Sequence, residues 1–326
     1  MTIIVHDTLQ LFEPLFTADV RPKELFELAN DVLFYAEDSM ANKLSPMMKG
    51  KTAGGYAVME AGQTDGFVAL NQQQAWGLFN PSRKRHITAY QFEQLRQLDI
   101  LAWLEARATH YATTLNIPHD IQLFLLPADN ANRNVMIDTF GVCGFAGVQR
   151  YVALRLWPTA GNLARLDKLL ARLMVYQKHA HTERKTLRDW LVLEGNAARF
   201  IAEQFPEEAY PWGVTWQKSA DYDTALAKIA TLRGIDHYNH MLTNIYGAAV
   251  PIGTERPPDV RPMDAETFAY AEEIISDALD ETDPIRIAAY LYGDELVARQ
   301  GYPTIGLPAY AGYEVAYRWA TQSPYE

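Results

Sequence analysis

The stretch from Leu163 to Phe205 constrains this chain more than any other. It holds two amphipathic helical patterns joined by a short charged turn. In the first, Leu163, Leu166, Leu170 and Leu173 recur at helical spacing and mark an inward stripe. That stripe continues onto Gln177 and then His181. In the second, Leu187, Trp190, Leu191, Ala197, Ala198, Ile201 and Phe205 mark another stripe, and Glu194 falls on it. A carboxylate on an apolar stripe is costly unless a cation or hydrogen-bond donors meet it. Two successive helices therefore each aim polar groups inward, and the fold must supply partners for both.

A zinc site is one such arrangement, with ligands on the first helix and a glutamate on the next. In a zinc peptidase the first helix reads His-Glu-x-x-His: the histidines share a face, and the glutamate is general base for the metal-bound water. Ending that pattern on His181 places Gln177 and Lys178 where the first histidine and the glutamate belong. An amide replaces an imidazole, and an ammonium replaces the base. By the motif rule alone this is not a working site. Gln177 offers only a neutral amide oxygen, a poor zinc ligand. His179 lies two positions from His181 and points to another side of the helix. The bland reading of His181 is a buried, hydrogen-bonded histidine. A carboxylate without a metal needs another cation, so the sequence predicts that Lys178 or Arg184 forms an ion pair with Glu194.

The 326 residues suffice for one large domain or two intimate ones, and 48% hydrophobic with 21% charged is a globular balance. A net charge of −11 argues against a general nucleic-acid binder. The N-terminus lacks a basic segment before an apolar run, and no stretch of about 18 apolar residues occurs, so neither a signal peptide nor a membrane span is expected. With a single cysteine, Cys143, the expected compartment is the cytoplasm. Thr2–Val5 is β-prone, and Pro22 to about Asn42 follows a helical period. Lys49–Gly66 is a glycine-rich loop without the Walker pattern, and Asn80–His86 is a basic turn. Thr88 to Gln91 match a capping box opening one helix to about Leu115. Ile121–Leu126 and Tyr151–Leu156 read as strands flanking tight backbone at Gly141–Gly147.

Beyond a helix stop at Pro206–Trp212, further helices are expected at Asp223–Leu232, from Asp264 to about Leu279, at Pro284–Gln300 and at Pro308–Gln322, with a proline-rich linker at Ile252–Pro262. His237 and His240 are spaced to share a face but lack a third ligand, so ordinary polar surface is the better reading. Cys143 reads as a small buried hydrophobe. Tyr310, Tyr313 and Tyr317 read as aromatic core; Tyr313 is the candidate to face a cleft and hydrogen-bond a tetrahedral intermediate.

Several segments in order resemble the predicted zinc-dependent proteases of bacteria, a domain of unknown function. They are Leu126–Asp129, Gly141–Gly147, Trp157–Thr159, the helix ending at His181–Arg184, Thr186–Asp189, Glu194–Ala197, Pro211–Trp212, Tyr292–Asp294 and Gly306–Arg318. The resemblance covers roughly Ile121 to the C-terminus. It implies a zincin-like, α+β, mostly helical fold with a small β-sheet packed on the motif helix. It divides the chain into an N-terminal helical region, 1–118, and a zincin-like domain, 119–326, packed as one unit. It maps the metal positions onto Gln177, His181 and Glu194, and the catalytic positions onto Lys178 and Tyr313. Zinc is the cofactor the family implies, but the departures at Gln177 and Lys178 point to no bound metal. The expectation is a non-catalytic protein that binds a peptide or protein segment in the inherited cleft, with no nucleic acid or membrane partner. The alternative is an active zinc metallopeptidase with a non-standard ligand set.

Overall fold

A computed structural model of the chain describes residues 1–13, 85–128, 141–158, 160–182, 184–208, 210–213, 262–299 and 302–322. The expected helices at 22–42 and 223–232, the loop at 49–66, residues 80–84 of the basic turn, the 252–261 linker and both His237 and His240 lie outside the described residues. The described part is mostly helical around one small mixed sheet. Its strands are β1 (Ile3–His6), β2 (Ile121–Pro127), β3 (Val142–Val148) and β4 (Tyr151–Leu156), in the order β1-β2-β4-β3. β1, β2 and β4 run parallel; β3 pairs antiparallel with β4. β1 thus joins β2 across the expected 118/119 division.

The helices are α1 (Thr8–Phe12), α2 (Arg85–Gln97), α3 (Ile100–Thr114), α4 (Ala160–Lys178), α5 (Leu187–Gln204), α6 (Ala265–Asp277), α7 (Pro284–Tyr292), α8 (Asp294–Arg299) and α9 (Ala311–Gln322), with a single turn of 3₁₀ helix at Pro211–Gly213. α4 lies on β3 and β4 so closely that a Cβ on Gly144 would come within 2.6 Å of Leu173 Cδ1. The segment Gly141–Gly147 is therefore mostly strand, with its glycine serving the approach of a helix to the sheet.

Two other expectations are corrected. The helix expected from Thr88 to Leu115 is two helices, broken at Asp99, which adopts a left-handed φ of 47°. Thr88 sits inside α2, and Gln91 is not a capping partner: its buried amide donates to the Leu156 carbonyl at 3.0 Å. A polar residue that reads as a cap instead ties α2 to the end of β4. The helix expected at Pro284–Gln300 is interrupted at Gly293, whose φ of 75° ends α7 before α8 begins. Asp264 caps α6 as expected, accepting from Thr267 N at 2.8 Å.

α5 separates two apolar cores. Leu193, Ala197, Phe200 and Ile201 belong to the core under the sheet, with Leu166, Leu170, Leu173 and Met174 of α4. Leu187, Leu191 and Ala198 belong to a second core with Trp212, Ile275, Ile287, Leu291, Tyr310, Tyr313 and Val315. A helix covered on both sides leaves no solvent face in its middle, which is why Glu194 is only 3% exposed. α5 begins with a reciprocal capping box between Thr186 and Asp189. Its next backbone donors, Leu187 N and Arg188 N, bond to the Glu281 and Leu279 carbonyls at 2.9 and 3.0 Å. Its start is thereby fixed against the α6–α7 connection.

Gly195 sets how near α9 approaches. A Cβ there would overlap the Ala316 carbonyl oxygen and lie 3.1 Å from Ala320 Cβ. Gly195→Ala is expected to push α9 outward and to lower unfolding stability by about 1–3 kcal/mol, the usual cost of overpacking. Urea denaturation followed by circular dichroism measures it, and an unchanged midpoint would show that the α5–α9 contact yields without cost.

Candidate functional site

Glu194 is held by Arg172, one helix away on α4. Arg172 Nη2 forms an ion pair with Glu194 Oε2, and the Tyr176 hydroxyl donates to Glu194 Oε1. The other two nitrogens of Arg172 are also engaged. Nε reaches the Tyr176 hydroxyl at 3.2 Å, and Nη1 donates to the Trp212 carbonyl at 3.2 Å. The guanidinium carbon lies 4.8 Å from the centroid of the Tyr313 ring. Tyr313 in turn packs against Tyr292, with ring centroids 5.4 Å apart.

Burial opposes the charge on Arg172, but Glu194 and the phenols of Tyr176 and Tyr313 outweigh it and hold its pKa well above the usual value. Burial, together with the Glu194 carboxylate, keeps the Tyr176 hydroxyl protonated, its pKa raised well above normal. Burial does the same for Tyr313, reinforced by Tyr292 and Glu194. The cluster is a closed set of donors and acceptors around one carboxylate.

The expected cation was Lys178 or Arg184, and this is corrected: Arg172 takes that place. Arg172 and Tyr176 are four residues apart and share the α4 face turned to α5. Lys178, the last residue of α4, is exposed to solvent. Arg184 turns back over its own loop, donating to the His179 carbonyl at 3.1 Å with its guanidinium 5.2 Å from the Trp190 ring centre. Tyr313 joins the Glu194 cluster, buried beneath Arg172, while Lys178 stays outside it.

Gln177 is fully buried, and its amide is committed to the β3–β4 hairpin. Its Oε1 accepts from Arg150 N at 2.7 Å, and its Nε2 donates to the Ala146 and Tyr151 carbonyls at 3.0 and 3.1 Å. Arg150 sits at a left-handed φ of 73°, so Gln177 clasps a turn that an ordinary residue adopts only at some cost. α4 ends at Lys178, which leaves His181 in the turn beyond it, exposed to solvent. Gln177 and His181 therefore do not share a helix face. Cys143 is half-buried on β3.

These residues do not fit a zinc ion. Glu194 already has both oxygens bonded, beside a permanent cation that would repel a divalent one. Both amide atoms of Gln177 are engaged by the hairpin backbone, and His181 stands outside the helix. Among the described residues no group of three or more His, Cys, Asp or Glu is placed to hold a metal. No described helix is long and apolar enough to cross a membrane.

Residues 102–255 match the model of a family described as predicted Zn-dependent protease (DUF2268). That stretch is similar to this family. A Bacillus subtilis (strain 168) relative, described as "Uncharacterized protein YjfC", is 22% identical over 338 residues, covering 99% of this chain and 90% of the relative. No solved structure gives a significant match. The matched stretch includes Gln177, His181 and Glu194.

Arg172 was missed by sequence reasoning, although a signal exists. It is the one charged residue in the run Leu169–Val175, whose other members are all buried apolar residues. Breaking the pair leaves an unmatched buried charge, whereas removing both charges need not. Arg172→Met is expected to cost about 3–5 kcal/mol, and adding Glu194→Leu to recover much of that loss. A double-mutant cycle by urea denaturation checks it; additive losses would mean that the two side chains are not coupled.

Proposed function

We propose that this chain is a non-hydrolytic member of the predicted Zn-dependent protease family, and that it binds a peptide or protein segment instead of cutting one. The observation that carries this reading is the Arg172–Glu194 pair. Hydrolysis of this kind needs an electrophile to polarise the carbonyl and a base to activate water. The glutamate that the resemblance assigns to the metal is neutralised by a guanidinium, which has no open coordination position and cannot activate water. The base position is an ammonium, Lys178. The first ligand position is a hairpin clasp, Gln177. Two substitutions, at Gln177 and Lys178, each remove a part of the chemistry, and the retained Glu194 is built into the buried core.

Binding is supported by the sheet. Among the described residues β3 pairs on one side only, with β4, and its sequence Val142–Val148 is apolar and rich in glycine. An edge strand of that kind accepts an added strand through its backbone groups, with side-chain pockets supplying selectivity. In a zincin-like arrangement the extended segment would lie along that edge, beside the helix that once carried the metal.

Protein purified without chelator is expected to carry well under one zinc per chain and to leave casein uncut. Gln177→His with Lys178→Glu is expected to restore neither, because Glu194 stays paired and His181 stays outside α4. Metal analysis and a cleavage assay check both. Stoichiometric zinc together with cleavage that a chelator abolishes would overturn the reading.

A further inference from the structure

The acidity of this chain is concentrated near one end. Residues 262–322 carry eleven Asp and Glu against three Arg and no Lys, a net −8 of the chain's −11. Two of the three arginines are spent inside the segment, Arg286 on Glu281 and Arg318 on Glu314. The same segment exposes large aromatic side chains. Tyr270 is 51% exposed, and Tyr292 and Tyr302 are each 38% exposed.

Helical spacing sets part of that charge in a row. On α6, Glu266, Tyr270, Glu273 and Asp277 follow at intervals of four, three and four residues, and all four are exposed. Ala271 and Ile275, on the opposite face, hold the helix to the core. Among the described residues none of the three carboxylates in the row makes an ion pair, and the Tyr270 ring stacks on no other ring.

The row runs into a cavity. An open space of about 520 Å³ is lined by Glu266 and Tyr270 of α6, Asp294 of α8 and residues Gly306–Pro308. Backbone contacts fix its wall. Asp294 accepts from Ile305 N and Gly306 N, each at 2.8 Å, and its own N donates to the Leu307 carbonyl at 2.9 Å. Gly293, at a φ of 75°, leaves no room for a Cβ beside the Pro308 carbonyl oxygen. The segments Tyr292–Asp294 and Gly306–Pro308 thus build a cavity that lies outside residues 102–255 of the family match. Its described lining holds two carboxylates, a tyrosine ring, Leu307 and Pro308, and no cation. A helix start attracts anions, but that of α6 is already taken, since Asp264 accepts from Thr267 N at 2.8 Å.

We propose that this groove, the cavity together with the outward row of α6, docks a basic peptide segment. One Arg or Lys side chain enters the cavity, and further basic residues lie along α6. The Glu266 and Asp294 carboxylates neutralise the head group, Tyr270 offers a ring to a cation, and Leu307 and Pro308 meet the methylene stem. From Glu266 to Asp277 the helix rises about 16 Å, the reach of about five residues of extended chain. Charge that continues beyond the cavity favours a segment over a free cation. Nucleic acids and anionic membranes are repelled by the same field. The inference goes beyond the non-hydrolytic reading and does not depend on it.

The test is fluorescence anisotropy at low salt with a labelled peptide of alternating Arg and Ser, a Gly/Ser peptide of equal length, and arginine amide as a competitor. The Arg/Ser peptide is expected to bind, more weakly as salt rises, and the Gly/Ser peptide not to bind. Glu266→Gln with Glu273→Gln is expected to weaken binding at least about fivefold with an unchanged circular dichroism spectrum. Glu105→Gln with Glu203→Gln removes the same charge from exposed positions on α3 and α5 and is expected to keep the affinity within about twofold. Tyr270→Ala is expected to weaken binding about threefold, and Tyr270→Phe, which keeps the ring, to retain it. No binding of the Arg/Ser peptide, equal binding of the Gly/Ser peptide or equal weakening by the two double variants overturns the proposal. Arginine amide competing as well as the unlabelled peptide overturns it too, since the groove would then hold a free cation.

Discussion

A carboxylate in the middle of a helix that is covered on both sides must find a cation, and the described structure is arranged around that requirement. Glu194 lies where the two apolar cores meet across α5. Arg172 reaches it from α4, Tyr176 completes the second oxygen, Trp212 lends a carbonyl and Tyr313 lies under the guanidinium plane. Five separate chain segments are thereby referenced to one charge pair if Tyr292 of α7, which packs on Tyr313, is included. A buried ion pair is weak evidence for stability, since an apolar pair of equal volume often does as well. Its firmer consequence is register. α4 and α5 can slide or rotate against each other only by leaving a charge unmatched, whereas leucines on the same faces would tolerate several offsets.

The comparison with a zinc centre explains why this arrangement is self-sufficient. A zinc ion would accept electron pairs from several ligands and keep one position open to water. A guanidinium does the converse: it donates hydrogen bonds in a plane and keeps nothing open. It neutralises Glu194 as well as a metal would, without acquiring reactivity. Gln177 shows the same exchange at the other end of α4. An imidazole there would offer one donor and one acceptor, but the β3–β4 hairpin takes one acceptor and two donors, which an amide matches and a histidine does not.

Much of this was legible in the sequence. The stripes of Leu163–Leu173 and Leu187–Phe205 placed α4 and α5, because helices buried in a core show their period plainly. Strands β2 and β4 stood out as runs of large apolar residues. Glu194 was recognisable as a buried carboxylate needing a cation. What the sequence did not reveal was which cation. Arg172 reads as one polar residue on an amphipathic helix, and only the covering of α4 by both β-sheet and α5 makes that position interior. Lys178 and Arg184 looked nearer to the motif, but α4 ends at Lys178, and a break after a helix is hard to place where the next residues, His179–Thr182, carry no glycine or proline. Likewise the break at Asp99 adopts a left-handed conformation without a glycine to announce it.

The described ends of the α4–α5 turn are both anchored to neighbouring elements. Its far end is locked by the Thr186–Asp189 capping box and by α5 backbone donors bound to the α6–α7 connection. Its near end is locked by Gln177, the last inward residue of α4, through the hairpin. Between these anchors Arg184 lies over Trp190 and ties the turn to the first turn of α5. A short segment fixed at both ends loses little conformational freedom when a ligand settles on it, so the ordering cost that opposes most loop-mediated binding is small here. The register that Glu194 imposes on α4 and α5 is thereby carried into the turn between them.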